Sequence, residues 1–356
     1  MKMQKKFFNI LLLFAIAAPQ LSASRCDYAT PSAVVTENPA YTVDFGFRGL
    51  ALKPHVSNLH YAAEAFPLPA PSPHWNIYDI RPHYHFGFDI TFNAFFHKLN
   101  TNLYANWEHF RGSDCAAISA ATENMVGPFF EIGPDALPYA NASGRVAFKF
   151  NEFNISYGQN VNFGNRLHTN FFAGVSFAHI EECLSATYSN EDGTIARTIT
   201  TPISFAGAGP QVGVDFMYDI VCGLQFAGRA TGSLLTGKLK NHTAYESISP
   251  ALTPLGITPP NAQSTSLCSR TQIVPAFNQR LGIAYAFEFC DHYLVRIEAG
   301  YQAQIYLSAL QSVDMGSEVV TPPVAPDTVG VFARTFQRNI SNFGLTGPYA
   351  TIEVGF

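Results

Sequence analysis

The sequence predicts an all-β chain closed into an antiparallel transmembrane β-barrel of about ten strands with long external loops. Three observations carry this. Only 13% of the 356 residues are charged, about half the usual share of a soluble domain. Apolar and polar residues alternate with period two over many segments, the signature of a strand with one apolar face. After residue 23 there is no run of eighteen apolar residues, so helical membrane spans are not expected.

The rest of the composition narrows the classes. Phe 31 and Tyr 16 raise the aromatic share to 14%, with Trp only 2. Gly 26 and Pro 23 are near average, which excludes collagen-like and low-complexity chains. A formal net charge of −5 counts against a nucleic-acid partner.

Residues 1–23 read as a secretory signal peptide: Lys2, Lys5 and Lys6 precede an apolar stretch from Phe7 to Ala18, and small residues follow at Ser22 and Ala23. Removing this leader takes away three of the 21 Lys and Arg residues, leaving 18 against 26 Asp and Glu. Residues 24–40 then form a periplasmic segment, and 41–356 the barrel.

The strands follow in order. In HYHFGFDITFNAFF (83–96), Phe86, Phe88, Ile90, Phe92 and Phe96 share a face opposite His83, His85, Asp89, Thr91 and Asn93. Phe45 and Phe47 alternate with Asp44 and Arg48, and Leu103 and Trp107 with Asn102 and Glu108. Val212, Val214 and Phe216 alternate with Gln211 and Asp215, and Phe226 and Leu234 lie opposite Arg229. Leu281 and Ile283 alternate with Gly282 and Ala284, Ile297 with Arg296 and Glu298, and Ile352 and Val354 with Thr351 and Glu353. One segment changes phase: Val146, Phe148 and Phe150 are even, but Phe153, Ile155 and Tyr157 are odd. A bulge at Asn151-Glu152 is the expected cause. A soluble β-sandwich accounts less well for such long strands, whose apolar faces are aromatic and whose other faces hold small and charged residues.

Ten strands are expected near 41–53, 83–97, 100–112, 143–162, 166–181, 203–219, 224–240, 270–290, 293–308 and 341–356; eight or twelve also fit the pattern. Short connections at 97–100, 163–165, 220–223 and 291–292 alternate with long ones at 54–82, 112–141, 182–201, 241–269 and 309–339. Outer-membrane barrels place short turns in the periplasm and long loops outside. This sorts the cysteines: Cys26, Cys222 and Cys290 on the periplasmic side, Cys115, Cys183 and Cys268 on the outer side. Each set is odd, so one thiol per side is left over or pairs with a second copy or another envelope protein, and the plainer reading is that some are simply free.

The inner face is expected to hold Asp44, Asp89, Glu108, Asp215, Glu288, Glu298 and Glu353, with Arg48, Arg145, Lys149, Arg229 and Arg296. These charges fit either cross-lumen ion pairs filling a narrow barrel or a polar pore. No catalytic set assembles. Asp291-His292 falls in a periplasmic turn, His168 and His179 lack a nucleophile motif, and His83 and His85 read as hydrogen-bonding residues at the rim. No enzyme activity, metal or cofactor is therefore expected.

Several segments resemble the Legionella-type major outer membrane protein family, relatives of which also occur in chlamydia-like bacteria. These are YHFGFDITFNAFFHKLNTNLYANWEHFRG, FNISYGQNVNFGNRLHTNFFAGVSFAHIEE, FAGAGPQVGVDFMYDIVCGLQFAGRATGSLLTGK and PAFNQRLGIAYAFEF, in the family's order. The resemblance implies a porin-like outer-membrane barrel without catalytic residues, and disulfide cross-linking of the envelope as a theme. The terminal Phe356 is similar to the C-terminal signal that the bacterial barrel assembly machinery reads. The expected function is a passive small-solute channel through a mixed-charge lumen. The alternative is a surface structural or adhesion protein with a side-chain-filled lumen. The expected partners are outer-membrane lipid, the assembly machinery and envelope proteins reached through disulfides.

Overall fold

The computed structural model describes residues 41–66, 74–120, 126–127, 139–221, 223–248, 260–289, 293–320 and 330–356. Cys26, Cys222, Cys290 and Asp291-His292 lie outside the described residues, as does the side chain of Glu288. Among the described residues, thirteen strands form: β1 (Tyr41–His55), β2 (His60–Phe66), β3 (His74–Asp79), β4 (His85–Phe96), β5 (Thr101–Ser119), β6 (Val126–Gly127), β7 (Asn141–Phe163), β8 (Leu167–Ser189), β9 (Ile195–Val221), β10 (Leu224–Ser247), β11 (Asn261–Phe289), β12 (Tyr293–Val320) and β13 (Gly330–Gly355).

Ten of them close a barrel in the order β1-β13-β12-β11-β10-β9-β8-β7-β5-β4. Neighbours in the ring are antiparallel, and β1 seals it by pairing with both β4 and β13. Closure removes every edge, which a bilayer without hydrogen-bonding partners requires. At the end with short turns, Asn100 (φ 52°) closes the β4–β5 turn and Gly164 (φ 72°) the β7–β8 turn. Asn and Gly are the residues that tolerate this left-handed geometry.

At the opposite end the described residues of the long connections are largely strand. A crossing needs about 9–11 residues, whereas β9 has 27 and β11 has 29, so the hairpins continue well beyond the bilayer. The expected 182–201 loop shrinks to a five-residue turn between Ser189 and Ile195, with Gly193 N–H donating to the Asn190 carbonyl at 3.0 Å. Strands β2 and β3 of the β1–β4 connection and the short β6 of the β5–β7 connection form a small sheet, ordered β3-β2-β6.

The bulge at Asn151-Glu152 is not formed. Strand β7 keeps one register from end to end against both β5 and β8. Phe153, Ile155 and Tyr157 point outward and are exposed, while Val146, Phe148 and Phe150 point inward and are buried. The alternation never slips; the solvent changes. Where lipid surrounds the strand the outward face is apolar. Above the bilayer the outward face meets water and the apolar side chains turn into the barrel. Strand β1 repeats this, from outward Phe45 and Phe47 to inward Leu50 and Leu52. Strand β10 does so from outward Phe226 and Leu234 to inward Leu235 and Leu239, with Lys238 and Lys240 outside.

Candidate functional site: the barrel interior

From the periplasmic end inward, the interior has four levels. The first is a vestibule of about 250 Å³ whose wall includes Asp44, Asn93, Asn102, Asn170, Asp215 and Glu353.

The second level is a charged layer. Arg48 Nη1 meets Asp89 Oδ2 at 2.5 Å, and its Nε donates to Thr351 Oγ1 at 2.9 Å. Arg296 pairs with Glu298 at 2.6 Å and Glu353 at 3.3 Å. Arg229 pairs with Asp215 at 3.3 Å and lies over the Tyr104 ring. Gln304 and Gln302 both donate to Glu108 Oε1, at 2.6 and 3.3 Å. Strands β12 and β5 are four places apart in the ring, so these bonds cross the lumen. The space left in this layer is about 30 Å³, enough for only a few waters.

The third level is apolar. Phe150 on β7 and Tyr306 on β12 are diametrically opposite in a ring of ten, yet their ring centroids are 5.5 Å apart. Phe343 on β13 joins both, at 5.9 Å from Phe150 and 6.3 Å from Tyr306. Phe110, Phe148, Ile180, Phe205 and Leu239 extend this layer, all at most 2% exposed.

The fourth level is the β1–β4 connection, which enters the mouth. Tyr61 of β2 packs on the inner face of β7 at Gly144, where a Cβ would strike its ring. The Tyr188 hydroxyl donates to the Tyr61 carbonyl at 2.5 Å. Asp114, pointing inward on β5, holds the end of the connection by hydrogen bonds to His83 at 2.9 Å and His85 at 2.8 Å. Burial pushes the Asp114 carboxyl up, but the bonds from His85 and His83 outweigh it and leave the group below its ordinary range.

Of the expected inner-face charges, Asp44, Arg48, Asp89, Glu108, Asp215, Arg229, Arg296, Glu298 and Glu353 face the interior. Arg145 and Lys149 do not, which corrects the expectation. Both sit above the point where β7 changes solvent, so their alternation places them outside, and Lys149 pairs there with Glu181 at 3.4 Å. Sequence reasoning missed Arg280, Tyr104 and Glu152, which line the small cavity. Arg280 was legible, being in phase with Gly282 and Ala284. Glu152 was hidden by the assumed bulge. His168 and His179 have local partners: His168 bonds to Asn162 and Asp219, and His179 pairs with Glu181.

Cys115, Cys183 and Cys268 are free thiols, Cys115 and Cys268 exposed and Cys183 half-buried. Strand β7 separates Cys115 on β5 from Cys183 on β8. Two strand spacings are about 10 Å, beyond the Cα separation that a disulfide bridges.

Among solved structures, the barrel is similar to the outer membrane protease OmpT from Escherichia coli, at 11% identity and a TM-score of 0.42, covering 90% of this chain and 99% of that one. It is also similar to the translocator domain of the autotransporter NalP from Neisseria meningitidis, at 10% identity and a TM-score of 0.33, covering 91% and 90%. No curated protein sequence matches the chain. The family model described as Legionella pneumophila major outer membrane protein precursor matches residues 34–356, and the chain therefore belongs to that family of outer-membrane β-barrel proteins.

Proposed function

We propose that this protein is a closed, non-catalytic surface scaffold, in which a side-chain-filled barrel anchors extended hairpins on the cell exterior. The contact of Phe150 with Tyr306 across the full barrel diameter carries this reading. A passive channel needs a continuous water path, and here an apolar layer and a charged layer stand in series across it. On this reading the extended hairpins carry the free thiols Cys115, Cys183 and Cys268 outside the bilayer, where they serve as attachment points to a second copy or another envelope protein.

Planar bilayers test the scaffold. Purified full-length protein is expected to give no conductance steps; steady single-channel steps would restore the small-solute channel. Attachment is tested separately by non-reducing electrophoresis of intact envelopes. High-mass species are expected to disappear in the triple variant Cys115→Ser, Cys183→Ser, Cys268→Ser. Their persistence removes the cross-linking role while leaving the closed lumen untouched.

A further inference from the structure

The vestibule wall contains a built acceptor site that the scaffold role does not use. Cross-strand neighbours form a row around it: Asp44 on β1, Asn93 on β4, Asn102 on β5, then Asn170 on β8 and Asp215 on β9. Asn93 Nδ2 donates to Asp44 Oδ2 at 3.0 Å, Asn102 Nδ2 to Asn93 Oδ1 at 3.0 Å, and Asn170 Nδ2 to Asp215 Oδ2 at 3.5 Å. With both amino groups engaged, the orientation of Asn102 and Asn170 is set, and each presents its carbonyl oxygen. Between them β7 contributes Gly158, so the row has a gap. Both oxygens turn into that gap, and a Cβ on Gly158 would collide with each.

These two oxygens have no hydrogen-bond partner, on side chains only 8% and 9% exposed. A buried acceptor left unpaired is costly, so two converging on one spot define a site for a donor. The local charge favours a cation. The wall carries three arginines, Arg229, Arg280 and Arg296, against the four carboxylates Asp44, Asp215, Glu298 and Glu353; Asp215, Glu298 and Glu353 pair with Arg229 or Arg296, whereas Asp44 is held by Asn93 with no salt bridge among the described residues. A hard metal ion seeks six to eight oxygens, more than this spot offers. An ammonium carries three donors and suits two carbonyl oxygens with one donor to spare.

We propose that the vestibule binds an aliphatic diamine from the periplasmic side, one ammonium at Asn102 and Asn170 over Gly158 and the other toward Asp44. The cavity, at about 250 Å³, accommodates a short carbon chain. The site lies below both closing layers, so it exists whether or not the barrel conducts.

The test is calorimetric titration of the folded, detergent-solubilised full chain with 1,4-diaminobutane, using 1,4-butanediol and calcium chloride as comparisons. Saturable binding of the diamine alone is expected. Gly158→Ala, which fills the gap, is expected to weaken it at least tenfold, and Asp44→Asn several-fold. Asn102→Asp is expected to tighten it several-fold, a gain that misfolding cannot imitate. Absence of diamine binding, equal binding of the diol or calcium, or an affinity unmoved by Gly158→Ala and Asn102→Asp would each overturn the proposal.

Discussion

The Arg229 guanidinium on β10 rests 4.1 Å from the centre of the Tyr104 ring on β5, four strands away around the barrel. This cation–π contact spans the lumen as the Phe150–Tyr306 pair does, at a different level. Two closures in series make a specific demand on mutagenesis. Arg229→Ser with Tyr104→Ala is expected to leave the protein silent in planar bilayers. The same is expected of Phe150→Ala with Tyr306→Ala. Only all four substitutions together are expected to give conductance steps. Conductance from either pair alone would show that the other layer does not seal.

Arg48 and Asp89 face each other directly in the β1–β4 register, with side chains 3% and 1% exposed. Arg48→Ala strands a buried carboxylate, an effect of about 3–5 kcal/mol. Replacing both, as Arg48→Met with Asp89→Leu, is expected to cost much less. Guanidinium unfolding of the folded barrel in detergent checks this: the single variant should lose midpoint and the double variant should recover most of it.

Glu182 points inward on β8 among apolar residues, beside Phe148 and Ile203 in register, and neither of its oxygens has a hydrogen-bond partner. It lies above the bilayer, where His179 and Glu181 form the outer face. Burial pushes its carboxyl up from 4.5 to about 8. The folded state keeps a proton that the unfolded chain has released, so stability falls as pH rises from about 4.5 to 8 and levels off beyond. The slope is about 1.4 kcal/mol per pH unit. Glu182→Leu is expected to flatten that part of the profile and to raise stability at pH 8 by roughly 3–5 kcal/mol. Unfolding midpoints measured at pH 5 and pH 8 for both proteins decide it; an unchanged difference between the two pH values rejects the assignment.

Phe356 closes the seam. Its N–H and C=O exchange hydrogen bonds with Val43 at 3.1 Å, and its ring stacks on Phe45 at 5.8 Å. Phe356→Ala keeps the backbone exchange but removes the ring contact, and is expected to cost the refolded barrel about 1 kcal/mol. Guanidinium unfolding in detergent checks this; an unchanged midpoint would show that the stacked ring adds nothing to closure.

The membrane-facing half of the fold was legible because one rule governs it. Phe45, Phe86, Ile90, Trp107, Val212 and Ile352 alternate with small or polar partners, and the strands stand where that pattern places them. The upper half was not legible, because the reasoning held the apolar face outward throughout. That assumption turned the phase change after Phe150 into a bulge and assigned Arg145 and Lys149 to the lumen. It also read the Thr-rich stretch at 198–201 as loop, since no outward apolar face marks it. The aromatic layer was hidden for a related reason. Phe150, Tyr306 and Phe343 lie far apart in sequence, and only closure of the ring brings them together.

The β8–β9 hairpin carries ladder hydrogen bonds almost to its tip, and its inner face is packed from the barrel side. What the environment meets there is a pleated surface built from neighbouring strands rather than a pliable ribbon of consecutive residues. Below the exposed five-residue turn, antibodies that recognise the living cell through this region therefore read residues drawn from neighbouring strands at once. A peptide copied from the sequence 182–201 would present both strand faces together and would be a poor immunogen against the folded surface.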